Sequence, residues 1–554
     1  MSQNLVSDKI AGLLQHEGAE FIVGFPENRL FDSAAALGMR PIITRTERVA
    51  VNIADGFARM TRGERFIPCV MQYGPGAEAA HAAVAQAFGD RSPILLIPGE
   101  HARPAQVDFP APGAAEAYRA ITTWSATVNA PEQGPGIFRR ALQAVRGARR
   151  GPVLVAVAND VLYTPAADDR PWEVSYPGAR RSQADAADVE ETCAILAAAT
   201  SPLIVAGQGV LYADATEELV ALAEALELPV ATTLNGKSAF PEDHPLSLGA
   251  AARTRPATVD RAFERADVIL GVGTSFSRSL YITPMPAQAR LGQIVSDPAD
   301  LATGYDVDFA CVGDVKLVLR QLIGQAQDGP GPGPGPGRAG RDGDDVRARI
   351  ASTRRDFHEA WLPQLTSDAA PLSPYRVVWE LMHTVDRKRT VVTHDAGHPR
   401  DQIVPFYESV VPHGYLGWGK STQLGTGLGL AMGARLARPD WLSVNVMGDA
   451  AIGMVGMDLE TAARCRIPIL TIVLNNGLMG GYTAYMPEAV ARYDAHRLGG
   501  DYRAVATALG VHAERVQRPD ELRAALERSI ACVASGRPAL LEVLTHEETA
   551  MAMS

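Results

Sequence analysis

Residues 441–480 read WLSVNVMGDAAIGMVGMDLETAARCRIPILTIVLNNGLMG, and the fold is decided there. The apolar run Leu442 to Met447 has the composition of a parallel strand buried on both faces, and Gly448-Asp449 closes it. A helical pattern follows from about Val455 to Cys465, with Met457, Leu459 and Ala462 on changing faces. A second apolar run, Ile467 to Leu474, ends in Asn475-Asn476. Strand, helix and strand make a β-α-β unit whose polar tips fall at the carboxyl ends of neighbouring strands, where open α/β sheets bind ligands. Asp449 and Asn476 stand 27 positions apart, so the unit returns both to one edge. A carboxylate, an amide oxygen and a free backbone carbonyl suit a hard cation such as Mg²⁺, with diphosphate oxygens as its remaining ligands.

Outward from this unit the chain is large and ordinary in composition. Its 554 residues exceed one hydrophobic core, and 47% hydrophobic with 21% charged residues is the balance of a globular protein. A net charge of −11 argues against nucleic acid or anionic membrane as the main partner. The five cysteines (Cys69, Cys193, Cys311, Cys465, Cys532) are scattered and form no C-x-x-C pair, as expected of small buried hydrophobes in a reducing cytosol. The start, MSQNLVSDKIAGLL, is too polar for a signal peptide, and no run approaches 18 apolar residues, so the expected location is cytoplasmic.

Three units follow one another, giving an α/β fold of three consecutive domains with mainly parallel sheets. Residues 1–165 alternate helices with FIV, FIPCVMQ, PILLIPG and GPVLVAVAND, and place turns at Gly24-Phe25-Pro26 and Gly74-Pro75-Gly76. Residues 185–325 carry SPLIVAGQGV, ADVILGVGTSF and FACVGDVKLVLRQL, glycine-bounded strands of a Rossmann-like sheet without a full G-x-G-x-x-G. DGPGPGPGPGRAGRDGDD, residues 328–345, has no segment able to bury a core and reads as an extended linker. Residues 369–554 hold the metal turn. Ahead of it lie VVTHDAGHPRDQIV and GYLGWGKSTQLGTGLGLAMGARLARPD, a glycine-rich loop running into a helix from about Gly425 to Leu436.

Glu47 follows the strand PIITRT and opens a helix that packs Val49, Ile53 and Phe57. Taken alone it is a helix N-terminal acid favoured by the macrodipole. Asp55-Gly56-Phe57-Ala58-Arg59 changes that reading.

Gly448-Asp449-Ala450 with Asn475-Asn476 resembles the thiamine diphosphate signature. The resemblance implies Asp449 and Asn476 as side-chain metal ligands and the Leu478 carbonyl as a third, with Gly448 and Ala450 beside the cofactor. Glu47 and its following stretch match the family glutamate, which hydrogen-bonds the aminopyrimidine ring and helps to deprotonate the thiazolium carbon. Gln423-Leu424-Gly425 matches the place where an apolar side chain bends the cofactor, and Gly397-His398 the loop that touches the diphosphate. Pro26 and Gly74 join the implied cofactor contacts.

Nearly the whole chain resembles the acetolactate synthase-like branch, in the order pyrimidine-binding, central and diphosphate-binding domain. That implies a homodimer or homotetramer with each site shared between subunits, and a small 2-keto or 2-hydroxyacyl substrate. Two departures bear on the substrate. Gln72-Tyr73 stands before Gly74-Pro75-Gly76 where acetolactate synthases carry small hydroxyl residues, so both are candidate substrate contacts. The loop LMGGYTAYMPEAVARY also departs from the family, with Tyr482, Tyr485 and Glu488 as possible lid residues. FSRSLYITP lacks the full set of features that contact FAD, so FAD or another nucleotide in the central domain is not expected. These departures leave a 2-hydroxyacyl-CoA lyase or an oxalyl-CoA-decarboxylase-like enzyme as the alternative, although no basic tail follows ALLEVLT. A non-catalytic thiamine-binding scaffold is a third reading, opposed by the intact Glu47.

Overall fold

The computed structural model describes residues 4–26, 28–108, 112–166, 170–328 and 343–553. They build three six-stranded sheets, and every strand pair in them is parallel. The first comprises β1 (Phe21–Gly24), β2 (Arg40–Ile43), β3 (Cys69–Met71), β4 (Leu95–Glu100), β5 (Trp124–Val128) and β6 (Val153–Ala158), in the order β2-β1-β3-β4-β6-β5. The central sheet runs from β7 (Pro202–Ala206) through β8 (Val230–Thr232), β9 (Ser247–Ala250), β10 (Val268–Val272) and β11 (Arg290–Val295) to β12 (Phe309–Val312), in the order β12-β11-β10-β7-β8-β9. The third holds β13 (Thr390–His394), β14 (Tyr415–Leu416), β15 (Leu442–Gly448), β16 (Leu470–Asn475), β17 (His512–Val516) and β18 (Ala539–Leu544), in the order β14-β13-β15-β16-β18-β17. Counted within each sheet, the first and third share one order, 2-1-3-4-6-5. Both therefore reverse direction between their first and third strands, the switch point beside which α/β sheets take ligands.

The helix after the second strand of each of these sheets is the joint between them. Helix Glu47–Met60 lies against helix Thr426–Ala437, and their backbones approach through glycines. A Cβ on Gly56 would lie 2.8 Å from Leu430 Cα, and one on Gly433 would lie 2.6 Å from Phe57 N. One continuous apolar core runs through Val49, Phe57, Leu428 and Met432, tying the first sheet to the third, while the central domain has a core of its own.

Element bounds differ from the sequence expectation chiefly at the Asp449 turn. The helix begins at Asp449 rather than near Val455, ends at Val455, passes through a tight turn at Gly456–Asp458 and resumes over Leu459–Arg464. Gly453 and Gly456 interrupt its apolar periodicity, and Met454 and Met457 face outward, which hides the first turn from a pattern search. Of the Gly/Pro stretch, residues 329–342 lie outside the described residues. Gly343 to Asp345 open helix Gly343–Leu365, whose first turn takes Asp344 and Asp345 where the helix dipole favours acids.

Candidate functional site

Asp449 is the first residue after β15, and its carboxylate closes the turn. It accepts hydrogen bonds from Ala450 N (2.9 Å) and, across the strand ends, from Gly477 N (2.7 Å). Only 4% of Asp449 is exposed, and it forms no ion pair with a described residue. Burial raises its pKa, and the backbone amides oppose that rise. A buried carboxylate lacking a cationic partner is the environment a cation completes. Asn476 accepts from Leu478 N (3.0 Å), which leaves its oxygen a second lone pair. Its neighbour Asn475 is committed inward, donating to Glu542 Oε1 (2.7 Å) and accepting from Gly477 N (3.1 Å). The Leu478 carbonyl accepts no hydrogen bond from a described residue. Its segment is braced by Met479 N to His496 O and Leu498 N to Gly477 O, both 2.8 Å. No group of three or more His, Cys, Asp or Glu among the described residues makes a metal site. One carboxylate, one amide oxygen and one carbonyl instead form a partial hard-ion set that fits Mg²⁺ shared with a diphosphate.

The loops around this turn are tied to it. Gly397 ends the β13 turn at φ +84°, with open space where a Cβ would stand. His398 packs against the post-β16 loop so closely that a Cβ on Gly480 would lie 2.6 Å from its Nδ1. That Nδ1 is buried without a partner, and burial lowers the imidazole's pKa. Gln423 accepts from the Thr426 hydroxyl through its carbonyl (3.0 Å) and its side chain (3.2 Å). The Leu424 side chain packs beside Ala396, Trp418 and Leu430, and its carbonyl accepts from the Arg48 guanidinium. Gly425, at φ +87°, carries the chain past Val455, whose Cγ1 would be 2.6 Å from a Cβ there. Gly448 and Ala450 flank Asp449 in this turn.

Asp395 was passed over in the sequence, two residues before Gly397. Its fully buried carboxylate accepts from Ala396 N (2.8 Å), Gly425 N (2.8 Å) and Gly427 N (3.0 Å), clamping the start of the Thr426 helix onto the end of β13. Burial pushes its pKa up to about 6 against those bonds. The acid in HDAGH was the available signal.

In the first domain, Thr46 caps the helix that Glu47 opens. Glu47 is buried, and burial is the main cause of its raised pKa, with Asp458 raising it further. The β3 turn wraps onto it, since a Cβ on Gly76 would lie 2.8 Å from Glu47 Oε1 and 2.6 Å from Gln72 Cβ. Gln72, Tyr73 and Gly74 are half-buried, and the Tyr73 ring meets His101 edge-on at 4.9 Å. Pro26 is exposed just beyond β1. Thus Pro26, Glu47, the Gln72–Gly76 turn and His101 line the carboxyl ends of β1, β2, β3 and β4.

Within one chain no hydrogen bond or ion pair among the described residues joins Glu47 to Asp449, although the Arg48 guanidinium reaches the Leu424 carbonyl. The neighbour of Glu47 is Asp458, which accepts from Arg45 N (2.8 Å), Thr46 Oγ1 (3.1 Å) and Thr461 Oγ1 (2.9 Å). By helical rise, Asp458 lies along a path of roughly 15 Å from Asp449. Tyr482 and Tyr485 are exposed and face one another at 6.4 Å, and Glu488 pairs with Arg492 (3.1 Å).

A cleft of about 440 Å³ opens between the domains, lined in part by Gly207, Gly209, Gly273, Phe276 and Tyr281. Arg150 and Lys420 also line it, and neither forms an ion pair with a described residue. The space is of cofactor size, and the FSRSLYITP segment forms part of its wall.

Three family models match the chain, one overlapping each sheet. The thiamine pyrophosphate enzyme N-terminal TPP binding domain covers residues 5–113, the central domain 189–322 and the C-terminal TPP binding domain 395–543. A probable acetolactate synthase large subunit of Methanocaldococcus jannaschii is 28% identical over 582 residues, spanning 99% of this chain and 93% of the relative. Acetolactate synthase large subunit IlvG of Mycobacterium tuberculosis is 29% identical over 575 residues (98% and 96%). The Escherichia coli acetolactate synthase isozyme 3 large subunit is 25% identical over 554 residues (97% and 94%). No helix among the described residues is long and apolar enough to cross a membrane.

Proposed function

The chain belongs to the thiamine pyrophosphate enzymes and is acetolactate synthase-like, and from that premise we propose a Mg²⁺-dependent enzyme that breaks or joins the C–C bond beside the carbonyl of a 2-keto acid. The observation that carries this reading is the Asp449 turn, where a buried carboxylate with no ion-pair partner among the described residues bonds Gly477 N beside a Leu478 carbonyl that accepts no hydrogen bond from them. Asp449, Asn476 and the Leu478 carbonyl would hold the metal, and Gly397 and His398 would lie at the diphosphate. Thiamine diphosphate, when bound, supplies a carbon nucleophile and an electron sink. Glu47 does the protein's share of proton transfer, taking up and returning a proton at its carboxylate. Burial suits it to that work by bringing its pKa toward neutral pH. Leu424 gives the site an apolar floor, and Gln72 and Tyr73 orient the substrate oxygen. Each active site takes Glu47 from one chain and Asp449 from another in a homodimer or homotetramer, as the resemblance to the acetolactate synthase-like branch implies. The named relatives are acetolactate synthases, which favours 2-keto acids over the acyl-CoA alternative.

The test supplies thiamine diphosphate and Mg²⁺ and measures C2 proton exchange of the cofactor, then turnover of a panel of 2-keto acids and 2-hydroxyacyl-CoAs. Exchange and keto-acid turnover that stop on chelation of the metal are expected. Exchange no faster than in free solution refutes the site, and turnover of acyl-CoA alone refutes the substrate class.

A further inference from the structure

Asn475 faces a residue one strand over that belongs to none of the motifs above. Glu542, in β18, is fully buried and pairs in register with Val473 of β16 and Arg515 of β17. Two residues beyond Val473, Asn475 returns to the same face of the sheet. The Glu542 carboxylate is divided between two sides. Its Oε1 accepts from Asn475 Nδ2 (2.7 Å). Its Oε2 accepts from Arg515 Nε (2.9 Å) and from Arg503 N (3.0 Å), which lies in the first turn of helix Tyr502–Ala508. Arg515 also pairs with Asp501 (2.8 Å), the cap of that helix. Glu542 is therefore anchored to a helix start and a neighbouring strand, and it presents its free oxygen to Asn475. The Asn475 side chain accepts in turn from Gly477 N (3.1 Å), and the same N–H donates to Asp449 (2.7 Å). An asparagine amide has one donor end and one acceptor end. Glu542 takes the donor end, so the acceptor end is turned to Gly477. Gly477 stands at φ +69° between Asn476 and Leu478, and the orientation of its peptide sets where the oxygens of both neighbours point.

We propose that Glu542 is a positioning residue for the Asp449 turn: through Asn475 it fixes the Gly477 peptide, and with it the Asn476 and Leu478 oxygens, in the arrangement that a divalent cation takes. This rests on the reading of that turn as the metal site. Glu542 acts through Asn475, and the physical reason lies in the count of donors. A glutamine in its place offers one acceptor oxygen to Asn475, Arg503 N and Arg515 together. If that oxygen stays with Arg503 N and Arg515, the new NH₂ group faces the Asn475 NH₂ group. Asn475 then has to turn its donor end toward Gly477 N, and the contact that steadies the loop becomes a repulsion. Groups that orient metal ligands from behind are worth ~10–100-fold in metal affinity.

The experiment compares the full-length wild type with Glu542→Gln, the exchanged pair Glu542→Gln/Asn475→Asp, and Arg515→Gln. Mg²⁺ is titrated by calorimetry in excess thiamine diphosphate, and backbone amide hydrogen exchange of residues 475–480 is followed without metal or cofactor. E542Q should bind Mg²⁺ ~10-fold or more weakly and exchange these amides faster. In the exchanged pair the new amide donates and the new carboxylate accepts, while the contacts to Arg503 N, Arg515 and Gly477 N are kept. Both readouts should therefore return most of the way. R515Q loosens the sheet edge without cutting the link, so it should melt earlier yet bind Mg²⁺ as the wild type does. Wild-type Mg²⁺ affinity in E542Q overturns the proposal, and so does an exchanged pair that recovers nothing. An equal loss in R515Q overturns it too, because general loosening then explains the effect. Should E542Q fail to fold, Asn475→Ala cuts the same link with the Glu542–Arg515 pair intact; it should lose Mg²⁺ affinity to the same degree, and wild-type affinity there overturns the proposal. A wild type that binds thiamine diphosphate without any need for Mg²⁺ overturns the site reading and this proposal with it. Mg²⁺-dependent binding that E542Q leaves unchanged overturns this proposal alone.

Discussion

Replacing Gly433 by alanine tests how the two halves of the chain hold their site residues. A Cβ at Gly433 would lie 2.6 Å from Phe57 N and closer still to the Ile53 carbonyl oxygen, both of them backbone atoms that cannot swing aside. Ordinary contact needs 3.4 Å, so helices Glu47–Met60 and Thr426–Ala437 must part by at least about 0.8 Å. Alanine is the better helix former by ~1 kcal/mol. Overpacking a close-packed joint costs ~1–3 kcal/mol, so the net loss reaches about 2 kcal/mol. Gly12→Ala is the matched control. It lies inside helix Val6–His16 with nothing within 4 Å of the new methyl, so it should gain ~1 kcal/mol. At about 2–4 °C per kcal/mol for domains of this size, the two variants should melt several degrees apart in scanning calorimetry, on opposite sides of the wild type. The two helices begin at Glu47 and just after Leu424, so parting them also displaces both. Thiamine diphosphate affinity by titration calorimetry should therefore fall in G433A and hold in G12A. A G433A protein that melts above the wild type, level with G12A, refutes the close approach.

Asp449→Ala should abolish Mg²⁺-dependent retention of thiamine diphosphate, read by titration calorimetry, because the diphosphate then loses its metal bridge; unchanged affinity removes Asp449 from the site. Glu47→Gln should keep the fold and most cofactor affinity while C2 proton exchange falls by ~10²-fold or more, the scale of a lost acid–base group. Asp458→Asn removes a negative charge that raises the Glu47 pKa, so the acidic limb of the exchange rate should move to lower pH; a limb that stays in place means burial alone sets it. His394, stacked on Trp418 at 5.2 Å and buried, has its pKa lowered to about 3, mainly by burial. A depressed imidazole contributes stability that is present above its unfolded value near 6.5 and is lost as pH falls toward 3. His394→Phe should remove that loss, flattening the fall in denaturation midpoint between pH 6.5 and 5. Asp395, raised to about 6, works in the opposite sense, so the informative quantity is the difference between variant and wild type.

The strand–helix–strand unit around Asp449 was legible because its information is local. Strands buried on both faces are continuous apolar runs, and the 27-residue spacing of Asp449 and Asn476 is what one strand–helix–strand return requires. Glu47 was legible by the same logic, as an acid at the junction of strand and helix. The start of the Asp449 helix was not, since glycines break its period and its methionines face outward. Asp395 and Asp458 were also passed over, although the acid in HDAGH was a signal for the first. Each takes its role from groups far along the chain: Gly425 lies 30 residues from Asp395, and Arg45 lies 413 from Asp458.

What the sequence by itself determined, then, is the kind of layer each segment forms and the chemistry of each strand tip, because hydrophobic period and turn residues act over a few positions. Only the tertiary structure decided which tips meet. The shared 2-1-3-4-6-5 order of the first and third sheets depends on which strands pair. The glycine-lined crossing of the Glu47 and Thr426 helices depends on two backbones meeting across the whole chain. Placing Glu47 beside Gly76 and Asp458, and His101 beside Tyr73, follows from those two facts. Long-range packing sets them, through shape and exclusion of water, and no local pattern records it.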